Sequence, residues 1–198
     1  MSAPRCPFAH ERATRSITGL AVVTGASGHV GVNLVRALRA AGRPVRAVIP
    51  AATRVLDGID VEVVYADVRH PETLRAAFRG ADTVFHLAAR ISIDADRDGQ
   101  VHAVNVWGAR YAAEAALTAG VRRYVHMSSV HAFDLTHPGM LDESAPRAGA
   151  HSAAYDRSKA LGEAEDRLRT LSADEPGYVE ARRRAERAQA RIEAAGRG

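Results

Sequence analysis

Lysine is almost absent from this chain: of its 27 basic residues, only Lys159 is not arginine. Cysteine is equally scarce. The single Cys6 excludes an intrachain disulfide and predicts a surface thiol in a reducing, cytoplasmic setting. No run reaches the roughly 18 to 20 consecutive apolar residues of a membrane span, so no membrane association is expected. The N-terminus carries Arg5, Glu11, Arg12 and Arg15 but no apolar stretch, which excludes a secretory signal. Aromatics make up 5% and are not interleaved with a basic run, so the net charge of +4 does not point to nucleic acid. Nine histidines are present. His126, His131 and His137 are spaced by five and six, which fits neither helical ligand spacing nor a zinc knuckle, so no metal is expected. His86 and His126 fall in apolar strands and read as packed core residues.

What is present is a regular alternation. At 198 residues and 46% hydrophobic, the chain has material for one core plus appendages. Residues 1–17 read as a flexible leader, 18–171 as the folded domain and 172–198 as a charged helical tail. In the tail Tyr178, Ala181, Ala185, Ala188, Ile192 and Ala195 recur at three and four. That stripe is mostly alanine and buries little area, so it reads first as a solvated or loosely docked helix. Within the domain, short β-branched runs at 20–23, 44–49, 61–65, 83–88 and 121–127 predict five strands. Helical periodicity covers 30–38, where Val30, Leu34, Val35 and Leu38 share a face, and 71–78, opened by Pro71 with Glu72 beside it. Further helices are expected at 100–119, closed by Gly120, and at 153–171. Strands separated by helices of this length imply a parallel sheet covered on both faces, an α/β, Rossmann-like, doubly wound core.

Between the first strand and first helix stands Thr24-Gly25-Ala26-Ser27-Gly28-His29-Val30-Gly31. One glycine permits the tight turn, one lets a pyrophosphate touch backbone, and one lets the helix pack on the sheet. The helix N-terminus then offers unpaired N–H groups to phosphate. Two more groups carry chemistry. Tyr155 and Lys159, four apart, lie on one helical face. A phenol titrates near pH 10, so it exchanges protons at neutral pH only where a neighbouring cation favours its phenolate. That the one lysine of the chain stands there is the stronger part of the signal. Ser128 and Ser129 end the fifth strand, on the edge where doubly wound sheets present ligands.

As a set, Thr24-Gly25-x-x-Gly28-x-x-Gly31, Ser128-Ser129 and Tyr155-x-x-x-Lys159 resemble the short-chain dehydrogenase/reductase superfamily. The glycine spacing and His86-Leu87-Ala88-Ala89 are similar to its extended branch, the NAD(P)-dependent epimerase/dehydratase type. The resemblance spans roughly residues 19–170. It implies an NAD(P)-dependent oxidoreductase or epimerase-like enzyme acting on a hydroxyl or carbonyl of a small molecule. It also implies Tyr155 as general acid/base, Lys159 as ribose ligand and phenol modulator, and Ser129, with Ser128 second, as substrate-orienting hydroxyl. Cofactor contacts carry over to Gly25, Ser27, Gly28, His29, Val30 and Gly31 in the turn. Asp67 and Val68 are implied beside the adenine, and Ala88 and Ala89 beside the nicotinamide ribose. Asn105 matches a largely architectural position.

Two departures from the pattern stand out. About 20 residues after the glycines, where an acid would hold the adenosine ribose, stand Ile49, Pro50 and Ala51. This tilts the cofactor toward NADP, with Arg54, or Arg43 and Arg46, as the phosphate partner. Past Thr170 the chain leaves the family pattern, and the helical tail is expected to replace a substrate lobe. The alternative reading is therefore a non-catalytic dinucleotide-binding module that forms a homo-oligomer or engages a protein partner through its C-terminal helix. A third is a shortened descendant with an exposed fifth strand.

Overall fold

The computed structural model of the protein describes residues 18–93 and 95–170, with side chains through 167. The leader 1–17 and the tail 172–198 lie outside the described residues. Five strands form one parallel sheet: β1 (Ala21–Thr24), β2 (Val45–Ile49), β3 (Glu62–Tyr65), β4 (Thr83–His86) and β5 (Arg123–His126), in the order β3-β2-β1-β4-β5. The order reverses at β1, so a crevice opens above its carboxyl end, between β2 and β4. This is where doubly wound sheets bind ligands.

Alternation along β1 shows how the layers form. Val22 packs with Val48, Val84, Leu74, Phe78 and Ala112 on one face. Ala21 and Val23 pack with Ala47, Ile49, Val32 and Val35 on the other. Helix α1 (His29–Ala40) covers the second face, while α2 (Pro71–Ala77) and α4 (Gly108–Thr118) cover the first. Helix α5 (Ala154–Thr170) packs on α4. Among the described residues no strand pairs with the outer side of β3 or β5. Both are accordingly exposed in part, with Tyr65 62% and Val125 37% accessible. No helix of the described residues is long and apolar enough to cross a membrane.

Two expectations need correction. The buried face of α1 is Gly31, Val32 and Val35, with Leu34 and Leu38 half-buried and Val30 50% exposed. The helix is rotated because Gly31 must face the turn below it: a Cβ there would stand 2.1 Å from the Gly25 carbonyl oxygen. The helix expected over 100–119 is also not one regular helix. It consists of α3 (Gln100–His102), a π-helical turn (Ala103–Trp107) and α4, ending as expected before Gly120 at φ +66°. The π turn lies against α5, where a Cβ on Gly162 would approach the Asn105 carbonyl oxygen to 2.4 Å. Such turns widen a helix locally and re-aim one side chain.

Gly31→Ala should lower stability by about 1–3 kcal/mol, since its methyl meets backbone rather than a movable side chain. A shifted urea midpoint would report it; an unchanged midpoint would show that α1 can lift off the turn freely.

Candidate active site

The glycine turn forms the floor of the crevice. Gly25 adopts φ +65°, and a Cβ on it would lie 2.8 Å from the backbone of Ala88. The turn thus sits directly against the chain leaving β4. Gly28 N–H donates to the Gly25 carbonyl at 3.0 Å and caps α1 without a capping side chain. The first turn of α1 holds no acid, so its N–H groups face the crevice with the positive end of the helix dipole unopposed. The cleft above measures about 370 Å³. Of the residues singled out from sequence, Gly25, Ser27, Gly28, Asp67, Val68, Ala88 and Ala89 line it. His29 and Val30 are exposed at the start of α1, and Gly31 is buried beneath the turn; none of the three lines the cleft. A turn packed this closely on its surroundings at Gly25 and Gly31, with a helix N-terminus that no side chain caps, fits a dinucleotide pyrophosphate.

Pro50, at the position where the sequence pattern leads one to expect a ribose-binding acid, lines the cleft. Arg54 is exposed and does not line it. Arg43 and Arg46 are structural. Arg43 is buried, donating to the Gly19 carbonyl and to Thr83 and Asp82, while Arg46 pairs with Glu62 and donates to the Ala77 and Arg79 carbonyls. Sequence reasoning missed Arg69, a cleft-lining residue whose guanidinium grips Asp67 and reaches Gln100. The Arg69 hydrogen bonds hold the Asp67 carboxyl below the usual carboxylate range.

Under the turn lies a buried polar group. The Ala88 N–H donates to Thr24 Oγ1 (3.3 Å), which in turn contacts His86 Nδ1 at 2.8 Å. His86, as the sequence suggested, is buried. Burial, reinforced by neighbouring His126, pushes its pKa down to about 3. His126 is 13% exposed and lies against Asp166, and burial drives the two toward their neutral forms.

The remaining residues singled out from sequence, Ser128, Ser129, Tyr155 and Lys159, stand past the carboxyl end of β5 and on α5, and none of them lines this cleft. Met127 N–H donates to the His86 carbonyl at 2.9 Å, and the Met127 carbonyl accepts from Lys159 Nζ at 2.9 Å. Lys159 is 4% exposed. Burial lowers its pKa, opposed by Asp166 and Glu163. Tyr155 is half-buried one turn earlier on α5. Ser128 donates its hydroxyl to Glu163, which also pairs with Arg147. Ser129 instead caps a 3-10 turn (Val130–Ala132), its Oγ accepting the His131 N–H at 3.2 Å. Its own O–H donates to no acceptor among the described residues. The His131 ring meets the Tyr155 ring edge to face, centroids 5.4 Å apart. His131 therefore touches both residues, its backbone N–H holding Ser129 and its ring meeting Tyr155. Asn105, on the π turn, ties this group to the cleft by bonding Arg90 N–H and carbonyl and donating to Ser158, which donates to the Tyr155 carbonyl.

Sheet order, glycine cradle and cleft define a dinucleotide-binding Rossmann domain. Residues 21–167 match the model of the NAD dependent epimerase/dehydratase family, and the chain belongs to that family. It is 43% identical over 72% of its length to a sterol demethylase protein B of Methylococcus capsulatus, of which it covers 44%. It is 34% identical over 79% of its length to the 4-hydroxy-2-methyl-3-oxo-4-farnesyl-3,4-dihydroquinoline-1-oxide ketoreductase of Stigmatella aurantiaca, of which it covers 46%. A short-chain dehydrogenase/reductase superfamily protein from Agrobacterium tumefaciens, solved with bound NAD, superposes with a TM-score of 0.66 at 34% identity. That match covers 75% of this chain and 44% of the other. The chain thus spans about half the length of the curated relatives it matches.

The buried imidazole yields a pH prediction. His86 titrates near 6.5 when unfolded and about 3 when folded, so the unfolded chain binds the extra proton between these values. Its contribution is fully present above pH 6.5 and is lost as pH falls toward 3. Between pH 4 and 6 the unfolding free energy of the protein should fall more steeply than that of His86→Gln, by about 1.4 kcal/mol per pH unit. Parallel slopes in urea titrations would show that His86 keeps its proton equilibrium on folding.

Proposed function

We propose that this chain carries out NAD(P)-dependent oxidoreductase or epimerase-like chemistry on a hydroxyl or carbonyl group of a small molecule. The observation that carries the reading is the placement of Lys159. Its ammonium is buried against the Met127 carbonyl at the carboxyl end of β5, one helical turn from Tyr155 and next to the strand end that lines the cleft. One Lys159 proton is committed to Met127, and the remaining donors suit a ribose hydroxyl and the electrostatic support of a phenolate. The chain's family membership and the named reductase and NAD-bound relatives favour the same chemistry.

The nicotinamide, when bound, supplies or accepts the hydride. The residues of the chain hold the oxygen and move its proton. Ser129 donates its free O–H to the substrate oxygen. Tyr155 gives that oxygen a proton as a carbonyl becomes an alcohol, or takes it in the reverse direction. The positive charge of Lys159 lowers the cost of the phenolate left behind. Gly25, Ser27 and Gly28 receive the pyrophosphate, with Asp67 and Val68 toward the adenine and Ala88 and Ala89 toward the nicotinamide ribose.

The finer assignment is a preference for NADP. Pro50 removes the acid that would favour an unmodified ribose. Arg43 and Arg46 are tied down elsewhere, leaving exposed Arg54 as the phosphate partner.

Two measurements test this. Tyr155→Phe should lower turnover by about 10²- to 10⁴-fold while cofactor affinity stays near that of the parent; equal turnover would remove Tyr155 as the acid/base. Titration with NADH and NADPH, followed by nicotinamide fluorescence, should show tighter NADPH binding that weakens in Arg54→Ala. Tighter NADH binding would reverse the cofactor assignment.

A further inference from the structure

A second cavity, of about 450 Å³, lies outside the cofactor cleft and shares no lining residue with it. One wall is the loop that runs from β4 to α3, and the other is the start of α5. Ile93 and Ala95 supply apolar surface from the loop, Ala153 and Ala154 from the helix start. Ile93 is 96% exposed, which leaves a large aliphatic side chain bare beside the cavity. Arg97 and Arg157 line the same space. Among the described residues neither guanidinium meets a carboxylate: Arg157 donates to the Ser152 carbonyl, and Arg97 is exposed. Asp96 also lines the cavity, but both of its oxygens accept from the start of α3, Oδ1 from Val101 N–H at 2.9 Å and Oδ2 from His102 N–H at 2.8 Å. Two guanidinium groups against one carboxylate leave a single positive charge beside aliphatic surface. An arginine stays charged at every working pH, and its paired N–H donors match a carboxylate.

The path of the chain joins this cavity to the reacting groups on both sides. Arg90 lines the cofactor cleft and Ile93 the cavity, three residues along one loop. Ala154 lines the cavity, and Tyr155 is the next residue. We infer that the cavity binds the carboxylate of the compound whose carbonyl or hydroxyl Tyr155 serves. Given the role of Tyr155 proposed above, the substrate class is a small oxo or hydroxy acid with a short aliphatic spacer. Arg97 and Arg157 hold the acid by charge-assisted N–H bonds, and Ile93, Ala95 and the two alanines at the start of α5 take the spacer. A carboxylate fits better than a phosphate. A monoanion balances the single net charge, whereas a dianion would leave a negative charge beside Asp96. The volume, within the roughly 300 to 1,000 Å³ of small-molecule sites, leaves room for the spacer as well as the acid.

The test uses the full chain and three oxo acids, 4-oxopentanoate, 5-oxohexanoate and 6-oxoheptanoate, which differ only in the distance from carbonyl to carboxylate. The neutral comparison is 2-hexanone. Isothermal titration in low-salt buffer should show saturable binding of at least one acid, and binding of the ketone weaker by about tenfold or more. Arg97→Gln and Arg157→Gln should each weaken the acid by about 10- to 100-fold and leave the ketone unchanged. Circular dichroism reports whether each variant is folded. Arg97 is exposed, so Arg97→Gln decides the matter if Arg157→Gln loses its fold. No saturable binding of any acid, equal affinity for acid and ketone, or folded variants that bind like the parent overturn the inference. So does inorganic phosphate that binds the same site more tightly than the acids. NADPH oxidation is a separate arm. Arginine-dependent binding of an acid without reduction supports the acid site and counts against the reductase chemistry. Reduction of 2-hexanone as fast as of the acids, lost in Tyr155→Phe, supports the role of Tyr155 and overturns the acid site.

Discussion

At the turn after β1 main chain packs directly on main chain, and the cleft depends on it. Gly31 lets α1 settle onto the Gly25 carbonyl, and Gly25 lets the turn settle against Ala88. Any side chain at either position would separate helix from turn or turn from β4. The Thr24 hydroxyl adds a directional tie, accepting from the Ala88 N–H and sharing a hydrogen bond with buried His86. A cradle for phosphate is useful only if its N–H groups keep their positions when charge arrives, and close packing of main chain on main chain supplies that stiffness.

Helix α5 packs on α4 through small buried residues, and polar contacts fasten it to the cleft wall. Asn105 bonds both backbone groups of Arg90 and the Ser158 hydroxyl, so one side chain holds the cleft wall and the helix bearing Tyr155 together. The π turn that carries Asn105 and the small Gly162 opposite it are two sides of one fit. Lys159 closes the loop by reaching the Met127 carbonyl at the end of β5. A lysine suits this position in a chain otherwise built with arginine. Its charge is compact and its three donors can turn toward separate partners, whereas a planar guanidinium would need a wider, fork-shaped site.

Charge around this helix is arranged by depth. Glu163 and Asp166 lie on the turns after Lys159 and oppose the effect of its burial, while Asp156 sits beside Tyr155 and faces His131. His86 and His126, deeper in the sheet, are held neutral by burial and so add no competing positive charge next to the ammonium.

The local pattern of the sequence by itself determined the five strands, the glycine turn, the final helix and the Tyr155–Lys159 pair. Period-2 and period-3.6 burial, turn glycines and helical spacing are short-range properties, and each of these features is complete within a few residues. What only the tertiary structure decided are relations between distant segments. Which face of α1 is buried depends on Gly25 meeting Gly31, so Val30 is exposed despite its helical phase. Arg43 and Arg46 look like any surface arginines until Asp82, Thr83 and Glu62 are brought beside them. The π turn has no mark in its own residues, because the space it fills is set by α5 some 50 residues on. His131 and Asp156 are likewise unremarkable apart, 25 positions away from each other. They become a pair because β5 ends and α5 begins at the same edge of the sheet, which is a property of the chain's path rather than of its letters.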